Sequence, residues 1–335
     1  ATTYAQIFAH DEFLQKFDGV FSGRTDTPDD REDLETLAAA LKPLSTWHAL
    51  DTLQEAREAC GGAGFMFENR LVGLRADLDI YVTFEGDNNV LLQLVGKRLL
   101  TDYAKQFTGK DAAALAKFAV GMTAGKLFHG AGLRQFGQSV VDLGQVSRSV
   151  ENGLREEQQH LTLAERVQQM VADIAGRLRP AGKDKVLGAK LFNENQAELI
   201  EAARAHGELL QWEAFTDAVH RVDDADTKKV LTWLRDLFGL QLIEKHLAWH
   251  LINGRLSTQR AAAVSRYIDR LCARLRPYAL DLVDAFAYEP EHVRAPIASG
   301  AERERQDEAR EYYAALAASG DAPVLEKTLK KNAKR

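Results

Sequence analysis

The sequence predicts an all-α protein, and three features of the chain support that prediction. Proline, which breaks helix interiors, is absent between Pro43 and Pro180, so long helices are possible over that stretch. Apolar residues recur at three- and four-residue steps, as they do along one face of a helix. Strand-like alternation of apolar and polar residues is nearly absent. At 335 residues, the chain has room for about two domains.

The first two predicted helices lie before residue 62. Residues 1–13 have the pattern of a helix interior without a capping residue, which suggests one part of a longer polypeptide. The next helix begins at Thr27, a suitable cap, and Pro28 suits the first helical position. Two consecutive glycines, Gly61 and Gly62, predict its end. Its apolar stripe consists of Leu34, Leu37, Leu41, Leu44 and Trp47.

Residues 63–86 depart from the helical pattern. Ile80, Val82 and Phe84 alternate with more polar neighbours, which predicts an extended segment. A new helix is predicted from Asp87 to about residue 107.

The rest of the chain is predicted to be helical after a glycine-rich stretch at residues 125–153. A boundary placed there divides the chain into a domain of residues 1–150 and a second helical domain of residues 151–335. The clearest amphipathic runs of the second domain are 161–178, 193–221, 225–253 and 257–286.

Composition excludes several classes of function. The formal net charge is −6, so the chain has no overall positive field for nucleic acid or an anionic membrane. No apolar stretch approaches the roughly 20 residues that a membrane span needs. Two cysteines do not form a disulfide framework, and they suit a reducing cytosol. His246 and His250 are four residues apart but have no evident third ligand, so no metal site is predicted.

Glu85 is a candidate general base from its position alone. It precedes Gly86 at the predicted start of a helix, where low-bulk backbone would let a carboxylate reach into a cleft and take a proton. Burial would raise its pKa towards neutrality, whereas the helix N-terminus would oppose that shift. A structural glutamate that favours the helix dipole is the commoner explanation of such a position. Gly61 and Gly62 likewise allow close backbone approach to a ligand or simply end a helix.

Two sequence segments, which match one known family in order and spacing, favour the functional explanation of these residues. Residues 57–65 are REACGGAGF, and residues 83–100 are TFEGDNNVLLQLVGKRLL. Together with TWHALDTLQ at 46–54, they closely resemble the acyl-CoA oxidases, flavin enzymes related to the acyl-CoA dehydrogenases. The resemblance implies a helical-bundle C-terminal domain of the acyl-CoA dehydrogenase type, followed by a second, oxidase-type helical domain. It also implies that the chain is the C-terminal half of the enzyme.

The resemblance implies roles for residues of both segments. Glu85 corresponds to the glutamate that removes the α-proton of the thioester, and Phe84 and Gly86 correspond to positions beside the substrate. The first segment corresponds to residues that contact the FAD of a neighbouring subunit. Family members often have threonine where Asn89 stands. The implied FAD-binding residues are Glu58, Gly61, Gly62, Asp87, Asn88 and Asn89.

The implied reaction converts acyl-CoA to trans-2-enoyl-CoA with FAD, which dioxygen reoxidises to give hydrogen peroxide. The implied partners are the acyl-CoA substrate, an N-terminal half with a β-barrel that holds most of the flavin, and at least one further copy in a homodimer. A dehydrogenase with a protein electron acceptor and a non-catalytic helical scaffold are the alternatives. The last residues, Ala333 to Arg335, are not an SKL-type peroxisomal signal, so a bacterial cytosol is the expected location.

Overall fold

The computed structural model describes residues 1–105 and 156–321, and every regular element in these ranges is helical. The predicted all-α fold class is therefore confirmed. The α-helices, numbered over the described residues, are α1 (Thr2–Phe21), α2 (Pro28–Ala59), α3 (Gly61–Phe65), α4 (Leu71–Asp79), α5 (Asn88–Lys105), α6 (Glu156–Leu178), α7 (Lys185–Glu194), α8 (Gln196–His220), α9 (Ala225–Lys245), α10 (Leu247–Ile252), α11 (Thr258–Leu275), α12 (Ala279–Asp284), α13 (Pro290–Val293) and α14 (Ala301–Ser319). None of these helices is both long and apolar enough to cross a membrane.

Contacts group the described residues into two compact units. The first consists of Ala1–Ala49 and Asp79–Leu282, and the second consists of Leu50–Leu78 and the described part of Val283–Arg335. The predicted boundary near residue 150 lies outside the described residues, so the division into 1–150 and 151–335 stays a prediction.

The predicted start of α2 is confirmed by its hydrogen bonds. The Thr27 hydroxyl accepts from the Asp30 backbone N–H at 3.2 Å, and the Asp30 carboxylate accepts from the Thr27 N–H at 2.9 Å. This reciprocal cap satisfies two backbone donors that a helix start leaves unpaired. Pro43 is buried inside α2 without ending it, and the helix ends at Ala59, directly before Cys60 and the two glycines.

The extended segment predicted within residues 63–86 is wrong, because this region is helical. It contains α3, α4 and short 3₁₀-helices, of which Ile80–Val82 is the last. The N–H groups of Thr83 and Phe84 both donate to the Ile80 carbonyl, at 3.1 and 2.9 Å. Local hydrogen bonds thus satisfy the backbone without a partner strand. The alternating apolar residues do not form a buried face, since Ile80 and Phe84 are 62% and 52% exposed.

The long helical runs predicted after residue 160 are confirmed, with short breaks inside most of them. The first run lies within α6, and Asn195 separates α7 from α8 inside the second. The third is divided at His246 into α9 and α10. The fourth is divided by the 3₁₀-helix Arg276–Tyr278 into α11 and α12. Side chains of Asp184, Asp224 and Ser257 cap α7, α9 and α11.

Helix α8 lies at the centre of the first unit. It contacts α1, α5, α6 and α9, and its buried residues lie on all sides of the helix. Trp212 and Phe215 are the largest of these, both almost completely buried. In the second unit, the buried amide of Asn69 donates to the Ala63 carbonyl at 2.8 Å and accepts from the Ile297 N–H at 2.9 Å.

A buried polar cluster interrupts the core of the first unit. Arg166 lies 3.6 Å from the Glu208 carboxylate, and both side chains are about 95% buried. His246 lies 3.4 Å from the same carboxylate. His250 is completely buried, and among residues 1–105 and 156–321 neither of its ring nitrogens has a hydrogen-bond partner. An unpaired buried imidazole is destabilising, most of all when it is charged.

Replacing Gly239 by alanine is expected to destabilise the chain. A Cβ atom there would lie 2.1 Å from Gln159 Oε1 and 2.5 Å from Trp212 Nε1, which hydrogen-bond to each other at 3.1 Å. We expect the free energy of unfolding to fall by about 1–3 kcal/mol. The matched control is Gly176→Ala in α6, where a Cβ atom meets nothing within 4 Å. That variant should gain up to about 1 kcal/mol from helix propensity. Urea unfolding of both variants provides the measurement, and equal stability of the two would contradict the prediction.

Stability is expected to decrease as the pH falls below about 6.5, the ordinary pKa of histidine. Burial first, and then the charges of Arg166, His246 and Arg255, lower the pKa of His250 to about 3. Between these values the unfolded chain binds a proton that the folded chain does not, which favours unfolding by up to about 1.4 kcal/mol per pH unit. His250→Gln removes this titration, so its unfolding free energy should decline less steeply from pH 7 to 5. A slope equal to that of the parent would contradict the assignment.

Candidate functional site

The candidate site lies on the turn that joins the 3₁₀-helix Ile80–Val82 to α5. Glu85 has φ +58° and Gly86 has φ +98°, so two consecutive residues adopt the left-handed region. A non-glycine residue in this region is strained by roughly 1–2 kcal/mol. Such strain is common at functional sites. Glycine is required at position 86, because its φ disfavours L side chains and a Cβ atom would lie 3.2 Å from Leu91.

The side chains of Glu85 and Phe84 are both exposed beside this turn. Phe84 packs edge-to-face against Tyr81, with ring centroids 5.9 Å apart and an interplanar angle of 86°. Tyr81 and Ile80 are also exposed, so a small apolar surface adjoins the carboxylate. This arrangement can present a carboxylate and an apolar wall to a bound molecule. The substrate contacts of Phe84 and Gly86 stay predictions.

Lys42 of α2, which was not among the predicted site residues, holds this turn in place. The ammonium group of Lys42 donates to the Gly86 carbonyl at 2.6 Å and to Asn88 Oδ1 at 2.8 Å. The Asn88 Nδ2 group donates to the Thr46 hydroxyl at 2.9 Å. Burial lowers the pKa of Lys42, and the charges of Asp87 and Glu85 oppose that shift. Lys42 and Thr46 are four residues apart on one helix face, which is the only signal of this contact in the sequence.

The residues after Glu85 differ in what their side chains can still bind. Asp87 Oδ1 accepts from the backbone N–H groups of Asn89 and Val90, at 2.9 and 3.4 Å, so this carboxylate caps α5. Asn88 is 1% exposed, and both ends of its amide are hydrogen-bonded within the chain. Its observed side-chain contacts are therefore structural. Asn89 is exposed, and its amide faces solvent at the start of the helix.

The predicted residues of the first segment belong to the second compact unit. Glu58 is exposed and contacts Gln54 and Arg57. Gly61 has φ +56°, and a Cβ atom at Gly61 or Gly62 would meet nothing within 4 Å, so this backbone is open. Gly64 has a different role, because its Cβ atom would lie 2.1 Å from the Arg57 carbonyl oxygen. The glycine at 64 is needed for packing, whereas those at 61 and 62 leave space beside the chain.

These features define an all-helical protein with a candidate acid–base site on a strained turn. Comparison with known proteins identifies the family. The model of the acyl-CoA oxidase C-alpha1 domain matches residues 1–100, and the acyl-CoA oxidase model matches residues 157–300. The chain belongs to the acyl-CoA oxidase family, as the resemblance predicted.

Individual relatives agree with this assignment. A putative peroxisomal acyl-coenzyme A oxidase 3.2 of Arabidopsis thaliana is 31% identical over 309 residues, which cover 89% of this chain and 41% of the relative. An acyl-coenzyme A oxidase-like protein of Mus musculus is 28% identical and covers 83% of this chain and 42% of its own length. The chain thus spans about two fifths of the length of these relatives.

Solved structures show the same fold at lower sequence identity. Acyl-CoA oxidase 3 of Yarrowia lipolytica aligns with a TM-score of 0.70 at 22% identity, over 88% of this chain and 42% of that one. Acyl-CoA oxidase-2 of Caenorhabditis elegans, described as bound with FAD, ascaroside-CoA and ATP, aligns with a TM-score of 0.68 at 19% identity, over 99% of this chain and 46% of that one.

The comparisons overturn the expected bacterial cytosolic location. Three acyl-coenzyme A oxidases of Arabidopsis thaliana among the relatives are named as peroxisomal proteins. The two cysteines and the last three residues were insufficient grounds for that prediction, because neither a low cysteine count nor one short motif separates these compartments.

Replacing the buried amide should destabilise the site more than replacing its exposed neighbour. Asn88→Ala removes one of the two hydrogen bonds of the Lys42 ammonium and the bond donated to the Thr46 hydroxyl. The free energy of unfolding should therefore fall by about 1–3 kcal/mol. The matched control, Asn89→Ala, should stay within about 0.5 kcal/mol of the parent. Chemical denaturation monitored by circular dichroism compares the two. Equal losses in both variants would show that Asn88 has no special structural role.

Proposed function

We propose that the protein containing this chain is an acyl-CoA oxidase, which converts acyl-CoA to trans-2-enoyl-CoA and reduces dioxygen to hydrogen peroxide. The observation that carries the proposal is the Glu85 carboxylate, exposed on a left-handed turn beside Phe84 in a member of this family. Family membership supports the oxidase over a dehydrogenase with a protein acceptor and over a scaffold without activity.

In the proposed reaction, Glu85 removes the α-proton of the thioester as the general base. The turn leaves the carboxylate exposed, and the exposed ring of Phe84 supplies an apolar wall beside it. The thioester carbonyl gains negative charge as the proton leaves, and a backbone N–H near Glu85 would stabilise that charge. Loss of the α-proton and of a hydride from the β-carbon leaves the new carbon–carbon double bond.

FAD is the proposed cofactor, and some of the residues predicted to bind it are accessible to such a group while one is not. When bound, it accepts the hydride and passes the electrons to dioxygen. The open backbone at Gly61 and Gly62 and the exposed amide of Asn89 can contact such a group. The Asn88 side chain does not fit this role, since its amide is fully used inside the chain. FAD in the solved structure of the Caenorhabditis elegans relative supports the assignment.

The proposed partners follow from the same relationship. The remaining three fifths of an acyl-CoA oxidase would include the N-terminal half that holds most of the flavin. At least a homodimer is proposed, with Glu58, Gly61 and Gly62 of one protomer against the FAD of another.

The role of Glu85 is tested by Glu85→Gln in the flavin-loaded enzyme. Glutamine keeps the size of the side chain and removes its basicity, so FAD content should stay at the parent level. The rate of anaerobic flavin reduction by acyl-CoA should fall by about 10²–10⁴-fold, the usual contribution of a general base. The matched control is Glu35→Gln on the exposed side of α2, which should reduce its flavin at the parent rate. Near-normal reduction in Glu85→Gln would remove this residue from the role, and a parent enzyme that forms no peroxide would exclude an oxidase.

A further inference from the structure

Lys42 connects α2 to the peptide that directly follows the proposed base. Its ammonium group donates to the carbonyl of Gly86 at 2.6 Å and to Asn88 Oδ1 at 2.8 Å. The first contact fixes the orientation of the peptide between Gly86 and Asp87. The second fixes the first residue of α5. One charged group therefore contacts both the end of the turn and the first residue of the helix.

The Glu85 turn needs such a restraint. Glu85 and Gly86 both have positive φ, and a relaxed chain would leave this conformation at the glutamate. Within the described residues, the Glu85 side chain makes no hydrogen bond or ion pair of its own. The position from which it projects is therefore set by the backbone on either side. The Phe84 N–H holds one side through the Ile80 carbonyl at 2.9 Å, and Lys42 holds the other.

Lys42 is itself well anchored at this position. It follows Leu41, which is 2% exposed, and precedes the buried Pro43, so its backbone is fixed in the core of the first unit. Thr46, one helical turn further on, accepts from the other end of the Asn88 amide. The restraint on the turn is thus transmitted from a rigid helix rather than from another loop.

We propose that Lys42 is a positioning residue for the Glu85 carboxylate in the oxidation of acyl-CoA. The inference rests on the proposed function of Glu85 as the base. Lys42 acts through the backbone of Gly86 and through Asn88, and it makes no contact with the substrate. Its removal lets the turn relax and moves the carboxylate away from the α-carbon. Displacement by about 1 Å is enough to slow a reaction by roughly 100-fold.

The test compares three variants of the flavin-loaded enzyme. Lys42→Met removes the charge and the donors while keeping an unbranched chain. Lys42→Arg keeps both. Lys190→Met on α7 is the matched control, because Lys190 is exposed and forms a 3.8 Å pair with Glu194. FAD content and the thermal unfolding midpoint are measured first. The rate of anaerobic flavin reduction, its dependence on acyl-CoA concentration, and the isotope effect with α-deuterated substrate are measured next.

Lys42→Met is expected to keep its FAD and its half-saturating acyl-CoA concentration within about twofold, while flavin reduction slows by about 10- to 100-fold. The α-deuterium isotope effect should increase, since proton removal becomes the slow step. Lys42→Arg should recover part of the rate, and Lys190→Met should behave as the parent. A merely structural lysine would lower FAD content and the unfolding midpoint without changing the isotope effect.

Three results distinguish a failure of this inference from a failure of the proposed function. A parent-like reduction rate in Lys42→Met, with Glu85→Gln inactive, would overturn the role of Lys42 and leave the base in place. Full activity in Glu85→Gln would overturn both. Loss of rate in Lys42→Met that is matched by an equal loss of bound FAD, with an unchanged isotope effect, would also overturn the positioning role.

Discussion

A buried amide and a partly buried ammonium group determine the geometry of the candidate site. Asn88 is 1% exposed, and its two amide ends contact Lys42 and Thr46 on α2. Leaving a buried amide without partners would cost about 1–3 kcal/mol, so these hydrogen bonds hold the start of α5 against α2. The turn that carries Glu85 is the short piece of chain between this fixed point and the 3₁₀-helix Ile80–Val82. Its conformation follows from the two ends that it must join.

A comparison of the strain energy with the hydrogen-bond energies explains why the turn at Glu85 is stable. A glutamate in the left-handed region is disfavoured by roughly 1–2 kcal/mol. Hydrogen bonds to a charged group stabilise by about 1.5–3 kcal/mol each, and Lys42 makes two of them across the turn. Partial burial of Lys42 weakens this gain, because burial disfavours its charged form. The carboxylates of Asp87 and Glu85 act in the opposite direction. Together the two hydrogen bonds exceed the strain of one left-handed residue, so they are sufficient to hold the turn in this conformation.

Local sequence patterns predicted much of this structure. The features that they did not predict depend on contacts between residues that are distant in sequence. The Thr27 cap, the end of α2 at the two glycines and the start of α5 all depend on neighbouring residues, and all are confirmed. The contact between Lys42 and Asn88 joins residues 46 positions apart, so no periodicity reveals it. The extended segment was wrong for a related reason. Alternation predicts a strand only where a partner strand and a buried face exist, and around Ile80 the structure describes neither.

The exposure of the site bears on how the proposed base could act. A carboxylate in water is a weak base at neutral pH, and removal of solvent is one way to raise the pKa of a carboxyl group. Glu85 and Phe84 are both exposed here, as are Ile80 and Tyr81 beside them. The chain therefore supplies the position of the carboxylate but not its desolvation. Desolvation must come from whatever covers this apolar surface, whether the substrate, the flavin or the rest of the enzyme. Proton removal would therefore depend on assembly of the complete site. The same event that brings the substrate against Glu85 would exclude water from the carboxylate.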